Sequence, residues 1–197
     1  MPIGTAPEPV QDGRRRKGLR RRQQLLAATM RVIAADGVAA VSQRAVARAA
    51  GLPPSAVTYY FPTVDSLLVA TLRACNDSYL QRLAGFADDH TRALAQLAEL
   101  IAGSADPDRA RVAAEYELYL LAARRPDLRA ELDRWTRALD GFVARFVTDP
   151  VRRAGVTAAV DGLFLRCFCA ARPPDAAEVL GILRALTGLA VADRDPG

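Results

Sequence analysis

The chain has 197 residues, 51% of them hydrophobic and 25% charged, with a formal net charge of +5; this is enough apolar material for one large or two small cores and excludes a largely disordered polymer. Three cysteines cannot all pair within the chain, which suits a reducing compartment, and a single histidine excludes a histidine-rich metal centre or a pair of acid–base histidines. The positive charge is localised: Arg14, Arg15, Arg16, Lys17, Arg20, Arg21 and Arg22 put seven cations into nine residues, and without them the remainder of the chain sums to −2.

In chain order, residues 1–18 contain Pro2, Pro7, Pro9, Gly4, Gly13 and Gly18 and no apolar periodicity, so they read as a disordered basic arm. Leu25, Leu26, Met30, Ile33 and Ala34 recur at helical spacing and predict a first helix over about 19–35, ending before Gly37. Twin arginines ahead of an apolar run are a feature of export signals, but Arg31 and Asp36 interrupt this run. No other segment is long and apolar enough to span a membrane, and the expectation is a cytoplasmic protein with no membrane partner.

Residues 42–61, SQRAVARAAGLPPSAVTYYF, carry the most information. Val46, Ala50, Leu52, Val57 and Tyr60 form one apolar set shared by two short helices, and Ala47 lets the second helix approach the first closely. Ser42 caps the first helix. Gly51 suits a left-handed turn, and Pro53 and Pro54 stand where a helix start needs no N–H. This is the spacing of a helix-turn-helix, and it leaves Ser55, Ala56, Thr58 and Tyr59 outward on a helix short enough to enter a DNA major groove. A plain helical hairpin has the same pattern. The adjacent basic run favours phosphate contact.

After Phe61, Pro62 and Asp65 open a connector helix with Leu67, Leu68, Leu72, Cys75, Tyr79, Leu80 and Leu83 along one stripe. A helix over about 91–104 follows, and then one from Pro107 that carries Val112, Tyr116, Tyr119, Leu120 and Ala123 inward and stops at Pro126. The next spans about 127–147, with Leu128, Leu132, Trp135, Leu139, Phe142 and Phe146 inward. Val156, Val160, Leu163, Phe164 and Cys167, then Val179, Ile182, Leu183, Leu186 and Leu189, make two further stripes separated by Pro173 and Pro174. These stripes either complete the chain's own core or pack against a second copy as a four-helix bundle. A single recognition helix covers only a few base pairs, and that favours the two-fold arrangement. No stretch alternates as a half-buried strand does, so the fold class is all-α. All three cysteines read as small core residues.

From GVAAVSQRAVARAAGLPPSAVTYYFPTVDSLL onward the chain resembles the TetR family of bacterial transcriptional regulators. EYELYLLAARRPDLRAEL and VDGLFLRCF look like the family's central and penultimate helices. The resemblance implies about nine helices, with a helix-turn-helix DNA-binding domain at 19–61 and a ligand-binding and dimerisation domain at 62–192. It further implies a homodimer that represses its targets until a small organic effector binds. Carried over position by position, it assigns DNA contact to Gln43 and Arg44 and to Thr58, Tyr59 and Tyr60. Arg44 is the base reader, because a guanidinium pairs bidentately with guanine. Ser42, Tyr59 and Tyr60 are expected at phosphates, with Ser55, Arg20 and Arg21 alongside. Two positions depart from the pattern: many members have tyrosine where this chain has Thr58, and lysine where it has Val64.

Phe86, His90, Tyr116, Tyr119, Trp135 and Phe168 are the expected effector contacts, since aromatic bodies with polar handles enclose and orient organic molecules. Glu115 and Glu117 lie beside the tyrosines. Buried, either would select a cation, although exposure is the ordinary fate of a glutamate. The dimer interface is expected at Val156, Val160, Leu163, Phe164, Cys167, Val179, Ile182, Leu183 and Leu186. Two other functions compete. An enzyme would need a nucleotide loop, a nucleophile elbow or a zinc-binding helix, and none of these motifs occurs; no metal or cofactor is expected. A DNA-binding dimer without an effector, controlled by its abundance or by a protein partner, would gain no stability from any small molecule.

Overall fold

A computed structural model of the chain describes residues 9–105 and 109–189, with side chains from residue 13 onward. The described residues form nine α-helices, α1 (Pro9–Asp36), α2 (Gln43–Ala50), α3 (Pro54–Tyr60), α4 (Val64–Ala84), α5 (His90–Ala102), α6 (Arg109–Ala122), α7 (Pro126–Val143), α8 (Pro150–Cys169) and α9 (Ala176–Thr187), with one 3-10 turn at Val38–Ala40 and no strand. No helix among them is long and apolar enough to cross a membrane. The chain divides into two compact units between Thr71 and Leu72. That is ten residues later than the expected start of the second domain at residue 62, because the first two turns of α4, with Leu67, Leu68 and Thr71 buried, belong to the N-terminal unit.

In the N-terminal unit α1 packs on α2, and α2 on α3. Leu25, Leu26, Ala28, Thr29, Val32 and Ile33 of α1 are buried together with Val46, Ala47, Ala50 and Val57. Two α1 side chains hold the carbonyl end of α2, where helical carbonyls have no partner of their own. Gln24 donates to the Ala50 carbonyl at 2.9 Å. Arg31 donates to that of Ala49 at 2.8 Å. Ser42 caps α2 by accepting from the Ala45 amide at 3.1 Å, and Gly51 turns the chain with φ 64°. Pro54 opens α3, and Thr63 and Ser66 cap the start of α4 reciprocally, each hydroxyl accepting from the other's amide.

α1 begins at Pro9, so residues 9–18, expected in a disordered arm, are helical; residues 1–8 lie outside the described residues. Proline is well suited to the first helical position, and the run that follows is rich in arginine and glutamine, which are good helix formers. Gly13 and Gly18 cost about 1 kcal/mol each without stopping the helix.

In the C-terminal unit α5 packs on α8 and α9, and α6 to α8 pack on one another. Asp89, Asp149 and Asp175 cap α5, α8 and α9 through their carboxylates, with Glu178 completing a capping box at the last. α9 ends at Gly188, φ 70°, where Arg152 donates to the Leu186 carbonyl at 2.8 Å. Of the cysteines, Cys167 is buried and Cys75 half-buried, but Cys169 is exposed. Leu120, expected inward, is 73% exposed.

Gly51→Ala forces an L side chain into the left-handed region and should lower stability by about 1–2 kcal/mol. Gly141→Ala, inside α7 with nothing within 4 Å of its added methyl, should raise it by about 0.4–1 kcal/mol. Urea denaturation followed by circular dichroism measures both.

Candidate functional site

The exposed side of α3 carries Ser55, Thr58 and Tyr59, the last 81% exposed, with Arg44 exposed at the start of α2. Tyr60 is half-buried, its ring edge-on to Tyr59 at 5.0 Å, so the core position read from the sequence coexists with a place beside the exposed tyrosine. Ser42 is exposed and engaged as the α2 cap. Gln43 has structural partners: its amide donates to the carbonyls of Phe61 at 3.1 Å and Pro62 at 3.0 Å. Its carbonyl oxygen faces the Thr58 hydroxyl at 3.4 Å, and that hydroxyl also donates to Pro54 at 3.2 Å. Gln43 therefore ties α2 to the end of α3. A glutamine there sets the spacing of the two helices, and the groups outward on this surface are Arg44, Ser55, Thr58 and Tyr59. Arg20 and Arg21 are exposed on α1; Arg22 lies over the Phe61 ring at 5.3 Å.

The C-terminal unit encloses a cavity of about 270 Å³ lined by Tyr79, Glu115, Tyr116, Tyr119, Leu120, Trp135, Asp161 and Phe164. Tyr116, Tyr119 and Trp135 were expected there. Phe168 stands behind them, its ring 4.8 Å from that of Tyr116. Phe86 and His90 do not reach it. They pack on Phe142 at 5.7 Å and Phe146 at 5.1 Å, where Arg145 stacks on both phenylalanines and donates to the carbonyls of Ala87 and Asp88. Their aromatic surface fastens the α4–α5 connection.

Two carboxylates face the cavity, and their surroundings differ. Glu115, 5% exposed against expectation, forms an ion pair with Arg111 and accepts from the Tyr79 hydroxyl at 2.8 Å. Burial pushes its carboxyl above the ordinary range, and Arg111 pulls it back. Asp161 accepts from the Trp135 indole at 3.0 Å, and its backbone carbonyl accepts from the Tyr116 hydroxyl at 2.8 Å. Among the described residues no arginine stands against its side chain, and burial raises its carboxyl, opposed only by the Trp135 bond. The phenols of Tyr79, Tyr116 and Tyr119 are all raised by burial and so stay protonated as donors. Burial and the neighbouring Glu115 push the Cys75 thiol up to about 12, which leaves it inert at neutral pH.

Behind the cavity wall the Tyr119 hydroxyl donates to Asn76 on α4 at 3.1 Å. Asn76 in turn donates to the Glu131 carbonyl at 2.8 Å. The Glu131 carboxylate, 2% exposed, takes Arg73 at 2.6 Å and Arg134 at 3.3 Å. Sequence reasoning missed Tyr79, Asn76, Glu131 and Asp161 as polar members of this site. For the two acids the signal was an apolar register: Asp161, half-buried, sits between the buried Thr157 and Phe164, and Glu131, itself buried, between the buried Leu128 and Trp135.

The expected dimer residues are corrected by burial within one chain. Val156, Val160, Leu163, Phe164, Cys167, Val179 and Leu183 are each at most 4% exposed and belong to the chain's own core with α5 and α7; only Ile182 and Leu186 are partly exposed. The apolar stripes of α8 and α9 face inward because α5 supplies the partner surface.

Comparison with known proteins places these features in a lineage. Residues 25–71 match the family described as bacterial regulatory proteins, tetR family, and residues 88–189 match the tetracyclin repressor-like C-terminal domain. The chain belongs to the TetR family. A TetR-family regulator of Rhizobium meliloti, the HTH-type transcriptional regulator BetI, is 32% identical over 160 residues, covering 74% of this chain and 77% of that protein. Among solved structures, the multidrug binding protein EbrR complexed with ethidium is 33% identical with a TM-score of 0.69, over 84% of this chain and 97% of that one. The TetR member SCO1917 of Streptomyces coelicolor A3 is 32% identical with a TM-score of 0.73, over the same shares. This TetR-family chain is accordingly a transcriptional regulator with a DNA-binding helix-turn-helix.

A carboxyl raised in the folded state favours folding while protonated and loses that contribution as pH rises through its folded-state pKa. Asp161→Asn should therefore be at least as stable as the parent at pH 7, with its advantage shrinking as the pH falls toward 4. Parallel urea titrations across that range check this, and identical pH profiles would contradict it.

Proposed function

We propose that this TetR-family regulator is a homodimeric repressor that reads a palindromic operator with Arg44 and the exposed surface of α3, and that an aromatic organic cation entering the cavity releases it. The observation that carries the effector class is the Asp161 carboxylate: it lines an aromatic cavity with no arginine against it, whereas Glu115 already has Arg111. A half-buried carboxylate framed by Trp135, Tyr116 and Phe164 favours a ligand that brings its own positive charge and a flat ring system. EbrR, similar over most of the chain, is known complexed with ethidium, proflavin and malachite green, all aromatic cations.

Dimerisation is supported by the outward faces of the last two helices. Ala177, Gly181 and Ala185 are exposed at four-residue spacing on α9, and α8 exposes Ala154, Ala158, Gly162 and Leu165. Small residues at that spacing permit close helix approach. Release requires an effector that prefers the conformation unable to bind the operator, since equal affinity for both shifts nothing. The bond from Tyr119 to Asn76 gives a cavity ligand a handle on α4.

In vitro selection from random DNA should return a two-half-site palindrome, and Arg44→Ala should lose about 1–3 kcal/mol of discrimination at one position in each half. Trp135 is the chain's one tryptophan, so its fluorescence reports the cavity directly. Quenching by tetraphenylphosphonium, weakened about tenfold or more in Asp161→Asn and accompanied by release of the selected operator, supports the reading. Binding of cations unaffected by Asp161→Asn would overturn the effector class. An operator complex unmoved by any cation would favour a regulator controlled by its abundance.

A further inference from the structure

We infer that the N-terminal turns of α1 form a second DNA-binding element, a rigid arginine comb that grips the phosphate backbone beside the half-site read by α3. The inference rests on the reading that α3 and Arg44 contact DNA, and adds a contact that no helix-turn-helix requires.

The placement follows from helical register. Leu25 and Thr29 lie on the face of α1 that is buried against the helix-turn-helix. Gly18, seven residues before Leu25 and eleven before Thr29, continues that face. It comes against the end of the recognition helix: a Cβ at Gly18 would lie 3.6 Å from the Tyr60 hydroxyl, and Arg22, one turn on, stacks over Phe61 at 5.3 Å. Arg14 and Arg15, four and three residues before Gly18, and Arg21, three after it, occupy the same side and are exposed. The four arginines therefore flank the point where α1 meets the end of α3, next to the exposed Tyr59.

The helical state of this segment decides what it touches. An α-helix with side chains is about 10–12 Å across, too wide for a minor groove of about 6 Å, and the major groove of the half-site holds α3. The helix can therefore only lie across the rim of the groove, where the nearest ligand for its arginines is the phosphate backbone. From Arg14 to Arg22 the helix rises about 12 Å, a span of three to four base-pair steps at about 3.4 Å each. Guanidinium groups suit phosphates in forked geometry, and the contact carries no base preference. Since α1 is one helix from Pro9 to Asp36, the comb is held in a constant register with α3.

The test uses hydroxyl-radical footprinting and salt titration of the full-length protein on the selected operator, set within a longer duplex. The parent should protect phosphates outside the bases whose identity matters. Arg14→Gln/Arg15→Gln/Arg21→Gln should lose that protection, keep the base preference, and reduce the slope of log affinity against log salt by about 2–3 per half-site. Leu19→Pro keeps every charge at a position 55% exposed but breaks the helix between Arg14 and Arg15 on one side and Arg21 and Arg22 on the other; it should lose the ordered outer part of the flanking protection while retaining part of the salt slope. Flanking protection surviving in the triple variant, or unchanged in Leu19→Pro, would overturn the rigid comb. A parent that shows base preference without flanking protection would overturn it as well. Arg44→Ala separates the two readings: it should lose base preference at one position in each half-site and keep the flanking contacts, and preference intact at every position in that variant would refute the reading of Arg44 and α3 on which the comb depends.

Discussion

Taking a carboxylate out of water costs more than any one packing contact restores, and the C-terminal unit does so at Glu115 and Glu131 and in part at Asp161. Much of the arrangement of α4, α6, α7 and α8 can be read as an answer to that constraint. Glu131 is met by Arg73 and Arg134 with Asn76 on its backbone, which binds α4 to α7. Glu115 is met by Arg111 and the Tyr79 phenol, which binds α6 to α4. Asp161 receives a single indole N–H. The unevenness matters more than the total. Fully satisfied carboxylates hold helices in place, and the partly satisfied one gives the cavity its electrical sign.

The N-terminal unit solves a different problem, that of fixing two helices of eight and seven residues too short to be stable alone. It does so by spending polar side chains on backbone ends. Ser42 holds the start of α2, Gln24 and Arg31 hold its end, and Gln43 holds the end of α3. The Ala47 and Val57 contacts then need only supply close approach. The surface that remains outward is small and chemically simple.

Features written in local chemistry were legible in the sequence. Ser42, Gly51 and Pro54 each suit one backbone conformation or capping role, so the helix-turn-helix was readable from twenty residues, as was the all-α class from periodicity. What depended on the identity of the facing element was not. The stripes through Val160 and Val179 announce burial but not against what, and α5 of the same chain fills the place assigned to a second copy. Phe86 and His90 are as aromatic as Tyr116, yet the α4–α5 turn carries them to Phe142 and Phe146. Glu115 was misjudged because a glutamate's average exposure says nothing of an arginine four residues earlier. At the N-terminus, glycine and proline were weighed above the helix-forming arginines between them. Gln43 has a structural role that its place at a contact position did not announce: its amide holds the carbonyls of Phe61 and Pro62.

One wall of the cavity is Leu120, a lining residue that is also 73% exposed. A guest there is in reach of bulk solvent, and the protein need not unfold a segment to admit or discharge it. Exchange is then governed by diffusion and by the strength of the grip on the guest. Under the proposed function, occupancy would follow the surrounding concentration in both directions, and the regulator would act as a gauge rather than a latch: its response would decay once the compound is cleared, without synthesis of new protein.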